Sequence, residues 1–228
     1  MYTPKNTLEV DSIVYGFTNE RMLISDCYIH CATGDIIGLL GRNGTGKTTL
    51  FKLIYGTLYT PNKFIRINKK VYKYPYKSRM IAYLPQDSFL PKNISVRRLF
   101  YLLAIQDKKI EQLIAFERIQ NILSSQISSL SVGIRRYLEV LVVLYMDHPF
   151  VLLDEPFSGI EPLYVAELKL IIKAVSKTKG IILSDHNYRS VLAISTQIIL
   201  LKNSVCIQLA DANLLQEHGY LPEDSGSE

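Results

Sequence analysis

The chain has 228 residues, 48% of them hydrophobic, and a net charge of +5. That length allows one large domain or two small ones, and the apolar share is ordinary for a soluble globular chain. No apolar run approaches the roughly 20 residues needed to span a bilayer, and Met1-Tyr2-Thr3-Pro4-Lys5 lacks the apolar stretch of a secretory signal. The positive excess is modest, so it permits an acidic partner surface without demanding one. Cys27, Cys31 and Cys206 follow no metal-ligand spacing, and the expectation is three reduced thiols in a cytosolic protein. Glu223 to Glu228 is short, acidic and Ser/Gly-containing, and reads as a flexible tail.

Leu8 to Val14 alternates loosely and reads as a strand ending at Tyr15-Gly16. Tyr15 either stacks on an adenine ring or packs at the strand's end; the residues alone leave both open. Ile24 to Ala32 can form a second strand, with Thr33-Gly34 as a turn after it. Asp35-Ile36-Ile37-Gly38-Leu39-Leu40 then reads as a buried strand. It runs into Gly41-Arg42-Asn43-Gly44-Thr45-Gly46-Lys47-Thr48, which fits the phosphate-loop pattern G-x-x-x-x-G-K-[S/T] without a mismatch. Leu50, Leu53, Ile54 and Leu58 follow at helical spacing. A strand before and a helix after are the context that pattern requires.

The residue types suit a triphosphate. Gly41, Gly44 and Gly46 let the backbone curl so that successive N–H groups point into one concavity. The helix start adds its positive end. Lys47 is a mobile charge for the β- and γ-phosphates, and the Thr48 hydroxyl is a hard oxygen suited to Mg²⁺.

From Lys63 to Arg79 seven basic residues fall with no acid, interleaved with Tyr72, Tyr74 and Tyr76. Such a stretch fits nucleic acid or an anionic membrane surface, or else a solvated loop and an edge strand blunted by lysines, which is the preferred reading. Met80 to Leu84 is a short apolar strand ending in Pro85-Gln86. There, Gln86 can touch a metal ion or an attacking water, or be a surface amide. Ser95 caps a helix through Ile105 and Asp107 caps another. Only helical periods run from Ser95 to Ser129, so this region reads as a helical insertion. Leu130-Ser131-Val132-Gly133 precedes a further helix whose apolar face carries Ile134, Leu138, Leu141, Val142 and Tyr145, with Arg135, Arg136 and Glu139 off that face.

Phe150-Val151-Leu152-Leu153 runs straight into Asp154-Glu155-Pro156, a buried strand delivering two carboxylates to its C-terminal end, where doubly wound sheets place ligands. Asp154 is placed to hold Mg²⁺, and Glu155 to polarise the water that attacks a γ-phosphate. Their adjacency on a strand should point them to opposite sides. Pro162 opens a helix through Lys177. Ile181-Ile182-Leu183 is another buried strand, ending in Ser184-Asp185-His186. Ile198 to Leu201 and Val205 to Leu209 read as a hairpin turning at Asn203.

In this order, the motifs resemble the nucleotide-binding subunit of ATP-binding cassette transporters over nearly the full length. Tyr15 matches that family's adenine-stacking aromatic, Gly41–Thr48 its Walker A and Gln86 its Q-loop glutamine. Leu130-Ser131-Val132-Gly133-Ile134 resembles its LSGGQ signature, Asp154 and Glu155 its Walker B aspartate and catalytic glutamate, Ser158-Gly159-Ile160-Glu161 its D-loop, and His186 its switch histidine. Glu155-Pro156-Phe157-Ser158-Gly159-Ile160, Asp185-His186-Asn187 and Tyr220-Leu221-Pro222-Glu223-Asp224 look most like the ATPases of lipopolysaccharide export and branched-chain amino acid uptake.

The resemblance implies an α/β P-loop cassette: a RecA-like, mainly parallel sheet core with an antiparallel β subdomain and a helical subdomain. One domain would span 1–222: β subdomain and phosphate-loop core to about 88, helical subdomain to about 146, then core again. It implies ATP and Mg²⁺ as ligands. Gly41, Asn43, Gly44, Thr45, Gly46, Lys47, Thr48 and Thr49 would hold the nucleotide with Tyr15; Thr48, Gln86 and Asp154 would hold the metal; Glu155, His186 and Gln86 would be catalytic. Two cassettes, a homodimer or a heterodimer, would sandwich two ATP molecules, with Ser131 and Gly133 completing the partner's cage. An integral membrane transporter subunit would dock near the Q-loop, with Phe89, Leu99 and Phe100 as candidate contacts or else ordinary core, the preferred reading for Leu99; nucleic acid is not expected. The place implied is the cytoplasmic face of the cell membrane.

Val132 and Ile134 depart from the signature's glycine and glutamine, and Glu161 from the D-loop aspartate. A β-branched residue resists positive φ and crowds a phosphate, so ATP binding with slow hydrolysis is expected. The competing readings are a soluble nucleic-acid-linked ATPase and a regulatory cassette with weak or no turnover.

Overall fold

The computed structural model describes residues 5–18, 21–103 and 106–221; the expected tail lies outside the described residues. Its centre is a six-stranded sheet in the order β12-β11-β5-β10-β9-β8. These strands are β5 (Ile36–Leu40), β8 (Ile81–Leu84), β9 (Phe150–Asp154), β10 (Gly180–Ser184), β11 (Gln197–Lys202) and β12 (Val205–Leu209). All neighbours pair in parallel except β12, which closes one edge as an antiparallel hairpin partner of β11. Every residue of β5, β9 and β10 is buried. That explains why these segments read as unbroken apolar runs: both sheet faces are covered.

A second sheet, β4-β1-β6-β7, is antiparallel throughout. It is built from β1 (Thr7–Asp11), β4 (Ile29–Ala32), β6 (Phe64–Ile67) and β7 (Lys70–Val71). β1 alternates buried and half-buried positions, as a one-sided sheet requires. A separate hairpin, β2 (Tyr15–Thr18) with β3 (Arg21–Ile24), follows β1. The strand expected over Leu8 to Val14 therefore stops at Asp11, and Ser12 turns the chain with φ 53°.

The stretch expected as one strand from Ile24 to Ala32 is broken between β3 and β4. Ser25 N donates to Ser204 O at 2.8 Å and Cys206 N to Asp26 O at 3.1 Å, so this segment pairs with the start of β12. That pairing brings Cys27 and Cys206 together as a disulfide with Cα atoms 4.8 Å apart. The expectation of three reduced thiols is thereby corrected. The partners lie 179 residues apart, so local spacing gives no sign of them. Cys31 alone among the three is free; it is buried, and burial together with the Asp35 carboxylate pushes its thiol pKa up.

α1 (Lys47–Tyr55) buries Leu50, Phe51, Leu53 and Ile54 between the two sheets. At about 1.5–3 kcal/mol per large apolar side chain, that face anchors the helix. The helical unit comprises α2 (Val96–Leu102), α3 (Asp107–Ile114), α4 (Glu117–Ile122) and the first turns of α5 (Val132–Tyr145). Ser95 caps α2, accepting from Arg98 N at 3.3 Å; Ala104 and Ile105 lie outside the described residues. Asp107 is the first residue of α3 rather than its cap, which is Gln106. α6 (Pro162–Ser176), α7 (Tyr188–Leu192) and α8 (Leu214–Glu217) complete the chain.

The basic stretch resolves into structural roles. Lys63 donates to Leu53 O at 2.8 Å, closing the C-terminal turn of α1. Arg66 pairs with Glu9 at 3.2 Å and Asp11 at 3.5 Å. Lys73 and Lys77 lie over tyrosine rings at 5.1–5.9 Å, and Lys70 opens the exposed edge strand β7.

Candidate functional site

β5 delivers the chain to the phosphate loop at the C-terminal edge of the central sheet. Gly46 has φ 104°, and a Cβ there would lie 2.9 Å from Leu23 Cγ on the neighbouring hairpin, so glycine is required on both counts. Lys47 Nζ donates to Gly41 O at 2.7 Å and Arg42 O at 3.2 Å, which holds the ammonium at the mouth of the loop. Burial lowers the Lys47 pKa; the carboxylates of Glu155 and Asp154 act against that.

Asp154 ends β9 and is 1% exposed. Burial raises its carboxyl pKa, and hydrogen bonds from the Thr48 and Tyr83 hydroxyls oppose the rise. The Tyr83 bond measures 3.2 Å. Glu155 has left the strand: φ is +54°, and its N–H donates to Ser184 O at 2.7 Å. Strand alternation therefore does not separate the two carboxylates, as had been expected. A left-handed backbone at Glu155 does, and for a non-glycine residue that conformation costs on the order of 1–3 kcal/mol. His186 Nε2 lies 2.7 Å from Glu155 Oε1. Asp185 is buried and accepts from Phe157 N at 2.8 Å and Asn187 N at 2.9 Å, so one carboxylate joins the loop after β9 to the loop after β10. Burial raises its pKa, and these two N–H groups lower it again.

One cavity of about 450 Å³ collects Lys47, Glu155 and His186; Asp154 and Asp185 are not among its lining residues. Asn43, Gly44, Gly46, Lys47, Thr48 and Thr49 line it together with Gln86, Glu155 and His186. Its size is that of a small-molecule site. Gly41 and Thr45 lie in the same loop but face adjoining hollows. Thr48 and Gln86 line the cavity and the Thr48 hydroxyl donates to Asp154; each of the three side chains carries an oxygen of the kind that Mg²⁺ takes.

A family model described as ABC transporter matches residues 24–158. The chain belongs to the ABC transporter family. Among similar proteins, the "Lipopolysaccharide export system ATP-binding protein LptB" of Acidithiobacillus ferridurans is 31% identical over 194 residues, covering 79% of this chain and 80% of its own length. The protein of that name from Escherichia coli strain K12 is 32% identical over 188 residues, covering 76% and 78%. Among solved structures, an ATP-binding subunit of an ABC transporter superposes with a TM-score of 0.80 at 22% identity, covering 95% of both chains. A bacterial Atm1-family ABC exporter with ATP bound superposes at 0.81 and 18% identity, covering 95% of this chain and 41% of that one. At those identities the likeness is one of fold, and the fold is that of the ABC cassette. The chain is an ATP-binding subunit of the kind that powers transport.

Not every anticipated position of this ABC cassette lies in the cavity. Tyr15 packs against the core beneath the antiparallel sheet, and Leu23, from the same hairpin, is the residue that lines the site. Ser131 and Gly133 stand at the start of α5, outside the cavity's lining. Ser131 caps the helix by accepting from Ile134 N at 3.3 Å, and Val132 is 73% exposed. Leu99 and Phe100 are buried, which is the core reading preferred for Leu99 and not the partner contact offered for Phe100; Phe89, Tyr101 and Leu102 are exposed apolar residues close by in the chain. Among the described residues no helix is long and apolar enough to cross a membrane.

Sequence reasoning passed over Tyr83, Asp185, Arg136 and Glu139. The last two were placed on the polar side of α5 yet are 5% and 1% exposed. The available sign was their opposite charge three residues apart in a helix otherwise rich in apolar residues.

Proposed function

We propose that this ABC cassette binds ATP with Mg²⁺ in the Lys47 cavity and hydrolyses it slowly, as one of a pair of cassettes attached to a membrane transporter subunit at the inner face of the cell membrane. The observation that carries this reading is the Glu155–His186 pair, 2.7 Å apart, lining the same cavity as Lys47. Main-chain N–H groups of the phosphate loop and the Lys47 ammonium bind the β- and γ-phosphates. Thr48, Asp154 and Gln86 are the residues that would hold Mg²⁺, which when bound offsets phosphate charge. The Glu155 carboxylate accepts a proton from water as its oxygen attacks the γ-phosphorus. The bond from that phosphorus to the bridging oxygen breaks, ADP keeps the electron pair, and the proton passes from Glu155 to solvent. His186 Nε2, 2.7 Å from Glu155 Oε1, holds that carboxylate in place, and would serve the γ-phosphate only by turning that donor from Glu155 to the phosphate.

The position of Ser131 and Gly133 at the start of α5, outside the lining of the Lys47 cavity, supports pairing: such a helix start would serve a second cassette rather than its own loop. Val132 and Ile134 in that turn are the basis for slow turnover. Equilibrium ATP binding and phosphate release by the purified chain test the proposal. Glu155→Gln should keep ATP binding and lose roughly 10²–10⁴-fold in turnover, the usual scale of a general base. Absence of ATP binding by the wild-type chain, or a variant as fast as wild type, would refute it.

A further inference from the structure

Arg136 and Glu139 lie one turn apart on α5 and form an ion pair at 3.2 Å. The guanidinium does more than meet that carboxylate. Its Nη1 donates to Pro85 O at 2.8 Å, its Nη2 to Asp154 O and to Glu155 O at 3.2 Å, and its Nε to Glu155 O at 3.3 Å. Glu139 in turn accepts from the Ser88 hydroxyl. These partners have a common geometry. β8 and β9 pair in parallel as far as Leu84 and Leu153. Beyond that register, the two chains part, one into the Gln86 loop and the other into Asp154–Glu155. Asp154 still pairs with Ser184 of β10, but the β8–β9 ladder has ended, so carbonyls between those two chains have no partner strand there. A planar fork with five donors meets carbonyls on both sides of the split, and Ser88 fastens the far end of the Gln86 loop to the same pair.

Burying this charge is costly, and the cost is offset only while every donor is used. Such an arrangement therefore resists small displacements: moving either loop leaves part of a buried guanidinium unpaired. Its helix also carries Ser131 and Gly133 at its exposed start.

We propose that Arg136, braced by Glu139, is a positioning residue. It fixes the gap between the Gln86 loop and the Asp154–Glu155 loop, and so matches the chain's metal-holding oxygens to a nucleotide, tying that gap to the position of α5. This rests on the ATPase reading above and extends it. Arg136→Lys keeps the charge and loses the fork; Ser88→Ala releases one fastening at an exposed position and leaves the buried pair in place. The measurement is equilibrium binding of a fluorescent ATP analogue to the full chain, with Mg²⁺ and with a chelator, alongside phosphate release.

In Arg136→Lys the gain in affinity on adding Mg²⁺ should fall about fivefold or more while metal-free affinity stays within about twofold, a positional effect just below the roughly tenfold or more usual when a partner of a metal ligand is lost outright. Turnover should fall with the Mg²⁺ gain. Ser88→Ala should move the same two readings in the same direction by less, and it carries the test if Arg136→Lys does not fold. An unchanged Mg²⁺ gain in folded variants overturns the proposal, as does an equal loss of affinity with and without metal. A wild-type chain that binds no ATP overturns the ATPase reading instead, so the two failures are distinct.

Discussion

Gly133→Ala separates two reasons for a glycine at the start of α5. In the proposed pair of cassettes, the residue would face a partner's phosphate. Within this chain it faces something else: a Cβ there would stand 2.4 Å from Gly159 O, 3.4 Å from Gly159 C and 3.6 Å from Ile160 Cα. The first distance is a backbone clash, and main chain cannot swing aside as a lysine tip can. Overpacking of this kind costs about 1–3 kcal/mol. Helix propensity acts the other way and favours alanine by up to about 1 kcal/mol, less at a helix start. The clash wins by about 1–2 kcal/mol, which in a chain of this size lowers Tm by about 2–8 °C. The assay is thermal melting without nucleotide, beside Val132→Ala as a control. Val132 is 73% exposed, so that change should stay within about 0.5 kcal/mol of wild type. If Gly133→Ala melts at or above wild type, the intramolecular contact with the loop at Gly159 is not what requires glycine, and the reasoning from that contact fails.

Three further outcomes are expected. Restoring the signature with Val132→Gly and Ile134→Gln should raise steady-state phosphate release about tenfold or more, below the 10²–10³ typical of a complete transition-state donor; unchanged release would remove the basis for slow turnover. Burial lowers the Lys179 pKa to about 8, with Lys109 adding to the fall and Asp147 opposing it. Between about pH 8 and 10 the unfolded chain thus holds a proton that the folded chain has lost, so stability rises with pH across that window. Lys179→Met should flatten the rise, which is on the order of 3 kcal/mol, and equal slopes in urea titrations of the two proteins would contradict it. Cys206→Ser opens a covalent link between residues 179 apart, worth up to about 5 kcal/mol by chain entropy and typically 2–4. The wild-type urea midpoint should fall to that of the variant on adding dithiothreitol, and a midpoint indifferent to reductant would argue against the disulfide in solution.

What could be read from the sequence follows from how local each cause is. The phosphate loop, the five-residue strands β5, β9 and β10, and the hairpin turning at Asn203 are set by neighbours in the chain, and they stand where periodicity and turn chemistry put them. The break between β3 and β4 is set by β12, a partner 179 residues away, and nothing local in Ser25-Asp26-Cys27-Tyr28 requires it. Arg136 and Glu139 misled for a different reason. Helical periodicity assigns a charge to solvent unless a partner is visible, and most of the partners here are main-chain carbonyls, which carry no sequence signal. Glu155 shows the same limit at one residue: the strand pattern was legible through Asp154, but the left-handed turn that aims the next carboxylate was not.

The two sides of the proposed site are held in place by different means, and this bears on why only one of them departs from the family pattern. Asp154 is tied by Thr48 and Tyr83, Asp185 by two backbone N–H groups, and Arg136 by carbonyls of two loops. Removing any of these leaves a buried charge or buried polar group without its partner, at a cost of several kcal/mol to the fold itself. Folding stability therefore constrains these residues whether or not ATP is turned over. Val132 has no such tie: most of its surface is open to solvent, and even a Cβ added at Gly159 would meet its Cγ1 only at 3.5 Å, an ordinary contact distance. The fold accepts valine there at little expense, so any penalty falls on a second cassette whose phosphate this turn would face. Gly133, one residue on, is pinned by Gly159 O and is still glycine. A signature that keeps the glycine its own chain needs, and differs where only a partner would notice, fits a cassette whose turnover depends on which second cassette it meets.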